Sequence, residues 1–182
     1  LRFDLGYSFF YNTPVTQLIL QRLPATLLLV FTAQILALFI GVILGVISAR
    51  KPNGIASHFV TILALFGYSA PVFWTGILLL IGFSLKIQIF PVAGMQDVTI
   101  EGGFWVHFLD VARHLVLPVI TLGSIFLALY SRLSRATMME VLGSDYVRTA
   151  KAKGLSEREV VYKHALKNSL SPVITLAGLQ FS

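Results

Sequence analysis

Residues 144–172 read SDYVRTAKAKGLSEREVVYKHALKNSLSP and form the one long polar stretch between strongly apolar runs. In its first half, Asp145 places negative charge near a helix N-terminus, and Lys151 and Lys153 place positive charge in the last turn. Gly154 follows at the point where a helix commonly ends in a left-handed residue. The first half therefore predicts a short helix that ends at Gly154.

The second half of this stretch begins a new helix. Ser156 and Glu159 have the spacing of a capping box, in which the side chain of each residue bonds the backbone N–H of the other. Pro172 marks a stop, so we expect this helix to run to about Asn168. Residues 144–168 are thus predicted to form an elbow of two short helices, and small residues in the first helix would let it lie close against another surface.

The composition is that of a membrane protein. Of the 182 residues, 56% are hydrophobic and 12% are charged, whereas soluble domains carry about 25% charged residues. We expect an all-α fold, a polytopic helical membrane protein with a single domain over residues 1–182. The formal charge of +6 sits beside apolar runs, so nucleic acid is not an expected partner. The lack of cysteine excludes disulfides and thiolate metal sites.

Three apolar runs are long enough to cross about 30 Å of hydrocarbon, and a fourth begins near the end of the sequence. The predicted spans are residues 24–49, 57–85, 114–131 and, for the start of the fourth, 170–182. Pro24 suits the first turn of the first helix, and Gly41 and Gly45 form a small-residue face on which another helix can approach closely. One long helix kinked before Pro71 is the simpler interpretation of the second run, and two short re-entrant pieces are the alternative.

The irregular sequence in the second run is the first candidate for the wall of a translocation pathway. Irregular backbone inside a membrane is tolerated where it is packed in protein or lines a cavity. Tyr68, Ser69 and Pro71 are the candidate pathway residues there, together with Gln34 in the first span. For Gln34, a hydrogen bond to a neighbouring helix is the favoured alternative.

The basic residues predict the orientation in the membrane. Of the 14 Lys and Arg residues, ten fall in residues 50–58 and 132–169 and four in the other loops and ends. The acidic residues divide evenly, so the first group carries the whole net charge of +6. Because Lys and Arg are enriched in cytoplasmic loops, we expect the elbow to face the cytoplasm.

Residues 86–113 are accordingly expected to form an external loop, with a short amphipathic helix at residues 104–111 lying at the membrane interface. His107 and His114 are seven residues apart and have no further ligands nearby, so they are expected to be surface or interfacial histidines rather than a metal site. An external face is also where a substrate-delivering protein would sit.

The sequence contains no visible source of free energy for pumping. The three apolar runs contain no Asp, Glu or Lys for ion coupling. No glycine-rich loop followed by Lys-Ser or Lys-Thr is present to cradle ATP phosphates. No span carries a convergent catalytic set either, so neither enzyme activity nor a cofactor is expected. The chain must conduct passively or take work from a partner.

The polar stretch resembles a known family. Tyr-Val-Arg-Thr-Ala-Lys-Ala-Lys-Gly-Leu followed by His-Ala-Leu-Lys-Asn is similar to the cytoplasmic loop motif of binding-protein-dependent ABC importer permeases, in the dipeptide and oligopeptide permease branch. The general motif has Glu-Ala-Ala and Leu-Pro where this chain has Arg-Thr-Ala and Leu-Lys. The resemblance implies a coupling helix that docks into a groove on an ATPase subunit. The implied coupling residues are Arg148, Thr149, Ala150, Gly154, His164 and Leu166.

The same resemblance implies a type I ABC importer transmembrane domain that is partial, since both ends of the sequence look cut. Its implied partners are two ABC ATPase subunits, a second related permease forming a heterodimer, and a periplasmic or surface solute-binding protein. The implied location is the bacterial cytoplasmic (inner) membrane. Dipeptide, oligopeptide, glutathione and nickel systems share this permease architecture, and the sequence does not choose among them.

A second class of function stays open. A passive pore or a membrane scaffold would use the basic elbow only to bind membrane lipid, and copurification with an ATPase subunit separates the two classes. The match over nearly thirty consecutive residues, 144–172, favours docking. In a docked elbow, Ala150 is expected to fit closely against the ATPase, and Gly154 is expected to turn the chain where a side chain would clash.

Overall fold

The computed structural model describes residues 5–181, and apart from a short antiparallel ribbon its regular structure is helical. The strands are β1 (Tyr7–Ser8) and β2 (Thr13–Pro14). The helices are α1 (Val15–Arg50), α2 (Ile55–Ser69), α3 (Val72–Leu79), α4 (Phe104–Leu142), α5 (Asp145–Ala152), α6 (Glu157–Glu159) and α7 (Leu166–Gln180). π-Helical segments extend α3 (Leu80–Lys86) and join α6 to α7 (Val160–Ala165). The predicted helical membrane architecture is confirmed.

Helices α1 and α4 are each long and apolar enough to cross a membrane. Both are longer than predicted. Helix α1 begins at Val15, so the expectation that Pro24 opens it is wrong, and Pro24 lies inside the helix. Helix α4 joins the expected interfacial helix to the third span and continues through Pro118. A proline removes a single backbone hydrogen bond, and the apolar helix-forming residues on both sides outweigh that loss here.

The predicted small-residue face of α1 packs directly on α4. A Cβ added to Gly41 would lie 2.8 Å from the Tyr130 Cβ. One added to Gly45 would lie 2.6 Å from the Ser134 Cβ and 2.8 Å from the Ser131 carbonyl oxygen. These distances are shorter than any carbon contact allows, so the two helices approach as closely as they do only because both positions are glycine. The predicted close-packing face is confirmed.

Helices α2 and α3 are separate pieces that meet at an angle of 105°. The break lies at Ala70 and Pro71, as predicted, but the bend is too large for one kinked helix. Both residues have extended backbone, with ψ of 130° and 133°. A residue before proline avoids the helical region, and Pro71 then starts the new helix. The expectation of one long kinked helix is therefore wrong, and the two-piece alternative describes this region better.

The loop between α3 and α4 is tied to α4 by a buried carboxylate. The Asp97 backbone N–H donates to Asp110 Oδ2 at 2.7 Å. The His114 Nδ1 lies 2.9 Å from the Asp110 carbonyl oxygen and 3.3 Å from its Oδ1, with both side chains almost fully buried. His114 is thus an interior partner of Asp110. No group of three potential metal ligands occurs among residues 5–181.

The segments predicted to lie inside meet at one end of the bundle. Arg50 at the end of α1 forms an ion pair with Glu157 of the elbow, at 3.5 Å. The Arg135 guanidinium of α4 donates to the Thr61 hydroxyl at 2.7 Å and to the Pro52 carbonyl at 3.5 Å. These contacts join α1, α2, α4 and the elbow at the same end, which agrees with the charge-based topology.

The second arm of the elbow does not stop at Asn168. From Glu157 the chain stays helical through the π-helical segment and α7 to Gln180, with Pro172 inside the helix. Val173 and Ala177 are buried against α1 and α4, and this packing holds the helix together beyond the proline. The elbow's second arm and the fourth predicted span are therefore one continuous rod.

Candidate functional site

The elbow turns at Gly154 through a complete set of helix-ending hydrogen bonds. Gly154 has φ of +80°. Its N–H donates to the Lys151 carbonyl at 3.0 Å, and the Leu155 N–H donates to the Ala150 carbonyl at 3.4 Å. This is the Schellman pattern that follows a left-handed residue. A Cβ added at Gly154 would meet no atom within 4 Å. The predicted left-handed turn is confirmed. The space around Gly154 is open within the chain, and a clash in the docked elbow stays a prediction.

One face of α5 is buried in the chain's own core. Val147 is 0% and Ala150 7% exposed. Leu155 and Leu166 pack against the same cluster, and the remaining buried members come from α1, α4 and the second arm of the elbow: Val46, Ala49, Met138, Val160, Val161 and Ala165. Ala150 thus points into the bundle and Leu166 packs partly against the same cluster, so both support the elbow from within. Their role in ATPase coupling stays a prediction.

The opposite face of α5 is open to solvent. The Arg148 side chain is 77% exposed and pairs with Asp145 at 3.6 Å. Thr149 is also exposed, and its hydroxyl donates to the Asp145 carbonyl at 2.9 Å. At the edge of this face, the Asn168 side-chain amide donates to the Tyr146 hydroxyl at 2.9 Å. That bond ties the two arms together, so the outer surface of α5 has a fixed orientation.

The second arm starts with the predicted capping box. The Ser156 hydroxyl accepts from the Glu159 N–H at 3.3 Å, and the Glu159 carboxylate accepts from the Ser156 hydroxyl at 2.8 Å and its N–H at 3.2 Å. The Ser156 hydroxyl, followed by the Ser156 N–H, lowers the pKa of Glu159. Lys163 and His164 one turn later lower it slightly further. His164 is half-buried, so only part of its ring reaches the surface.

Gln34 is buried between α1 and α4. Its side chain is 1% exposed, and its amide donates to the Tyr130 hydroxyl at 3.2 Å. A polar pair of this kind satisfies both groups inside an apolar helix interface. The arrangement matches the favoured alternative for Gln34, and it leaves no exposed surface for a solute on this side chain.

The other candidate pathway residues lie at the break between α2 and α3. Ser69 and Pro71 are exposed. The Tyr68 ring is 63% exposed, and the Arg132 guanidinium carbon lies 5.8 Å from its centroid, within cation–π range. Tyr68, Ser69 and Pro71 are thus all exposed at or next to the break, and the Arg132 guanidinium lies beside the first of them.

A protein-family model described as binding-protein-dependent transport system inner membrane component matches residues 41–182. This match covers α2 to α7, including the break and the whole elbow. The chain belongs to this family of transport permeases. The family resemblance drawn from the polar stretch is confirmed.

The permease is similar to several curated proteins along nearly all of its length. It is 42% identical, over 97% of this chain, to the di/tripeptide transport system permease protein DppB of Pseudomonas aeruginosa. It is 40% identical, over the same share, to the oligopeptide transport system permease protein AppB of Bacillus subtilis and to the dipeptide transport system permease protein DppB of Escherichia coli. The chain spans 55% to 57% of the length of these relatives.

Two features of the permease site were not anticipated from its sequence. The hydrogen bond between Tyr146 and Asn168 joins residues that are 22 positions apart. The one sequence signal for it is that the two residues lie on different arms of the predicted elbow, where their side chains can meet. Arg132 was assigned to the inner loop by its position after the apolar run. In the structure its guanidinium lies over the Tyr68 ring of α2.

Proposed function

We propose that this permease is the membrane-spanning subunit of a peptide importer and that separate ABC ATPase subunits drive it through the elbow. The observation that carries the proposal is the two-sided α5. Its inner face, with Val147 and Ala150, is buried in the bundle, while Arg148 and Thr149 project from a rigid outer face. A helix that only served as a linker would not need both a fixed base and a fixed orientation.

The connections of α5 support a role in transmitting motion. Helix α5 follows α4 after two residues, and its other end leads through Gly154 into the rod that continues as α7. The ion pair of Arg50 with Glu157 adds α1 to the same support. A displacement of α5 would therefore move α1, α4 and α7 together, as coupling of ATP hydrolysis to transport requires.

The remaining parts of the proposal concern the assembly. We infer two ABC ATPase subunits at the inner end, a second related permease beside this one, and a periplasmic or surface solute-binding protein at the outer end, in the bacterial cytoplasmic (inner) membrane. The break at Ser69 and Pro71 would line the passage between the two permeases. Peptides are the proposed substrates because the relatives' names specify dipeptides, di/tripeptides and oligopeptides.

Cysteine cross-linking tests the docking surface directly, since residues 1–182 contain no cysteine of their own. Thr149→Cys in the assembled transporter should cross-link to an ATPase subunit, and the nearby buried Val147→Cys should not. Equal cross-linking at both positions, or none at Thr149, would refute the proposed docking. Uptake of radiolabelled peptide, glutathione and nickel by the same assembly then identifies the substrate class.

The lipid-binding alternative predicts a different pattern. A scaffold that holds anionic lipid would lose vesicle binding when Lys151, Lys153 and Arg158 are neutralised together, because each basic side chain contributes about 1 kcal/mol near an anionic surface. It would show no cross-link from position 149 to any ATPase. Retained ATPase association by the neutralised variant would exclude this alternative.

A further inference from the structure

The Arg132 guanidinium lies against Tyr68, near the end of α2. Helix α2 begins at Ile55, within residues 50–58, which the charge-based topology places at the inner side of the membrane. Tyr68 lies thirteen residues later, or about 20 Å along the helix at 1.5 Å per residue. The guanidinium sits over the Tyr68 ring. The hydrocarbon layer is about 30 Å thick, so we expect the Tyr68 ring and the guanidinium over it to lie within this layer.

This charge has no acidic partner among residues 5–181. The ion pairs found there join Arg50 with Glu157, His114 with Asp110, and Arg148 with Asp145. Within the same residues the Arg132 guanidinium makes no hydrogen bond, whereas that of Arg135 is engaged by Thr61 and Pro52. An unpaired cation in contact with acyl chains is costly, so a charge at this depth normally faces the bundle interior or water.

The two sides of the contact between α2 and α4 differ in chemistry. One side is a groove of about 530 Å³ that contains Thr61, Leu65 and Arg132. The other is a groove of about 420 Å³ lined almost wholly by apolar side chains, among them Phe66 and Leu127. The arginine side is the one that can be hydrated, and the opposite side suits lipid.

We infer that Arg132, oriented by Tyr68, forms a carboxylate-binding site on the substrate passage. The inference rests on the proposed function and names the part of the substrate that this site would hold, the free C-terminal carboxylate of a peptide. A guanidinium presents a planar fork of donors that matches both oxygens of a carboxylate. The ring face of Tyr68 keeps the fork from folding back on the helix and leaves its donors open to the groove.

The first test measures which side of α2 meets water. In the assembled transporter with no other accessible cysteine, Leu65→Cys in the arginine groove should react with a membrane-impermeant thiol reagent. Phe66→Cys, its neighbour on the apolar side, is the matched control and should react at least about tenfold more slowly, because the reactive thiolate needs water. Equal rates at the two positions would overturn the inference.

The second test measures the carboxylate itself. A free-acid dipeptide should slow labelling of Leu65→Cys by at least about threefold, as expected for a charge-assisted contact, and the same dipeptide with a C-terminal amide should not. Adding Arg132→Gln should abolish the protection, Arg132→Lys should restore part of it, and Lys86→Gln, a basic residue away from the groove, should leave it intact.

Three results would overturn the inference: equal protection by acid and amide, protection that survives Arg132→Gln, or no protection by either peptide. Slower labelling in phosphatidylglycerol vesicles than in phosphatidylcholine vesicles, without a peptide effect, would assign Arg132 to a lipid phosphate instead. These measurements need no transport. Failure of ATPase cross-linking or of peptide uptake therefore counts against the proposed function. Failure of the dipeptide to protect Leu65→Cys from labelling counts against the carboxylate-binding site alone.

Discussion

Replacing Ala150 by glutamate should release α5 from the bundle. Two buried apolar side chains anchor this helix, in addition to the Tyr146–Asn168 hydrogen bond: full burial of Val147 contributes about 1.5 to 3 kcal/mol, and the Ala150 methyl about 0.8 kcal/mol. The apolar part of the anchoring free energy is therefore about 2 to 4 kcal/mol. An ionised carboxylate at position 150 would enter an apolar cluster, where the penalty for an unpaired charge is several kcal/mol. Because the penalty matches or exceeds the anchoring, we expect α5 to swing out and expose the new carboxylate.

Hydrogen exchange on the purified permease, without the proposed partner subunits, measures this release. Backbone amides of α5 should lose protection by roughly thirtyfold or more, since about 2 kcal/mol corresponds to a factor of that size. Ala152→Glu is the matched control, because it makes the same substitution two residues later at an exposed position. It should leave α5 protected. Loss of protection in both variants, or in neither, would refute the assignment of Ala150 to the core.

Four further outcomes follow from the same geometry. Gly154→Val adds about 1 to 2 kcal/mol of backbone strain but no clash, so α5 should stay folded and ATPase copurification should weaken without being lost. Gly45→Ala should lower the thermal unfolding temperature, at a cost of about 1 to 3 kcal/mol, because the added methyl collides with α4. Tyr130→Phe should destabilise the bundle by about 1 to 3 kcal/mol through the unsatisfied Gln34 amide, and adding Gln34→Leu should recover most of that loss in a thermal melt. The pKa of Glu159 is lowered in the folded state, so the capping box should be fully formed above its ordinary value of 4.5 and lost as pH falls through the lower folded-state value. Amide exchange at the start of α6 should report this loss, and Glu159→Gln should remove the pH dependence because glutamine caps in the same way.

Local chemistry made the elbow predictable from sequence. A left-handed glycine, a capping box and a proline after an apolar run each act through atoms a few residues apart, so their signals survive without knowledge of the rest of the fold. The turn at Gly154, the cap at Ser156 and the break at Pro71 are all where the sequence places them. The close contact at Gly41 and Gly45 also followed from their spacing, because small residues four positions apart lie on one helix face and let another helix approach closely.

Tertiary packing decided what the sequence could not. Pro24 was expected in a first helical turn and Pro172 at a helix end, yet both lie inside helices, as Pro118 does. The sequence shows that a proline removes one helical hydrogen bond, but it does not show the tertiary packing that outweighs this loss. Ala150 shows the same limit in the site. An alanine beside exposed polar residues suits an outer face, and only the positions of Val46 and Met138 reveal that it points inward.

The elbow's two arms have different mechanical roles, and that difference explains why the chain combines a tight turn with a continuous rod. Among residues 5–181, the first arm is held by its small buried face and by the Tyr146–Asn168 bond, so a protein bound to its outer face would act on these few contacts. The second arm is helical without interruption from Glu157 to Gln180. Within this arm, the π-helical segment Val160–Ala165 contributes three buried residues to the cluster that anchors α5. Wider π-helical turns are points where a helix bends most readily. A load on α5 therefore reaches α7 either as rotation of the whole rod or as a bend at residues 160–165, and in both cases the part of α7 packed on Tyr130 of α4 must move.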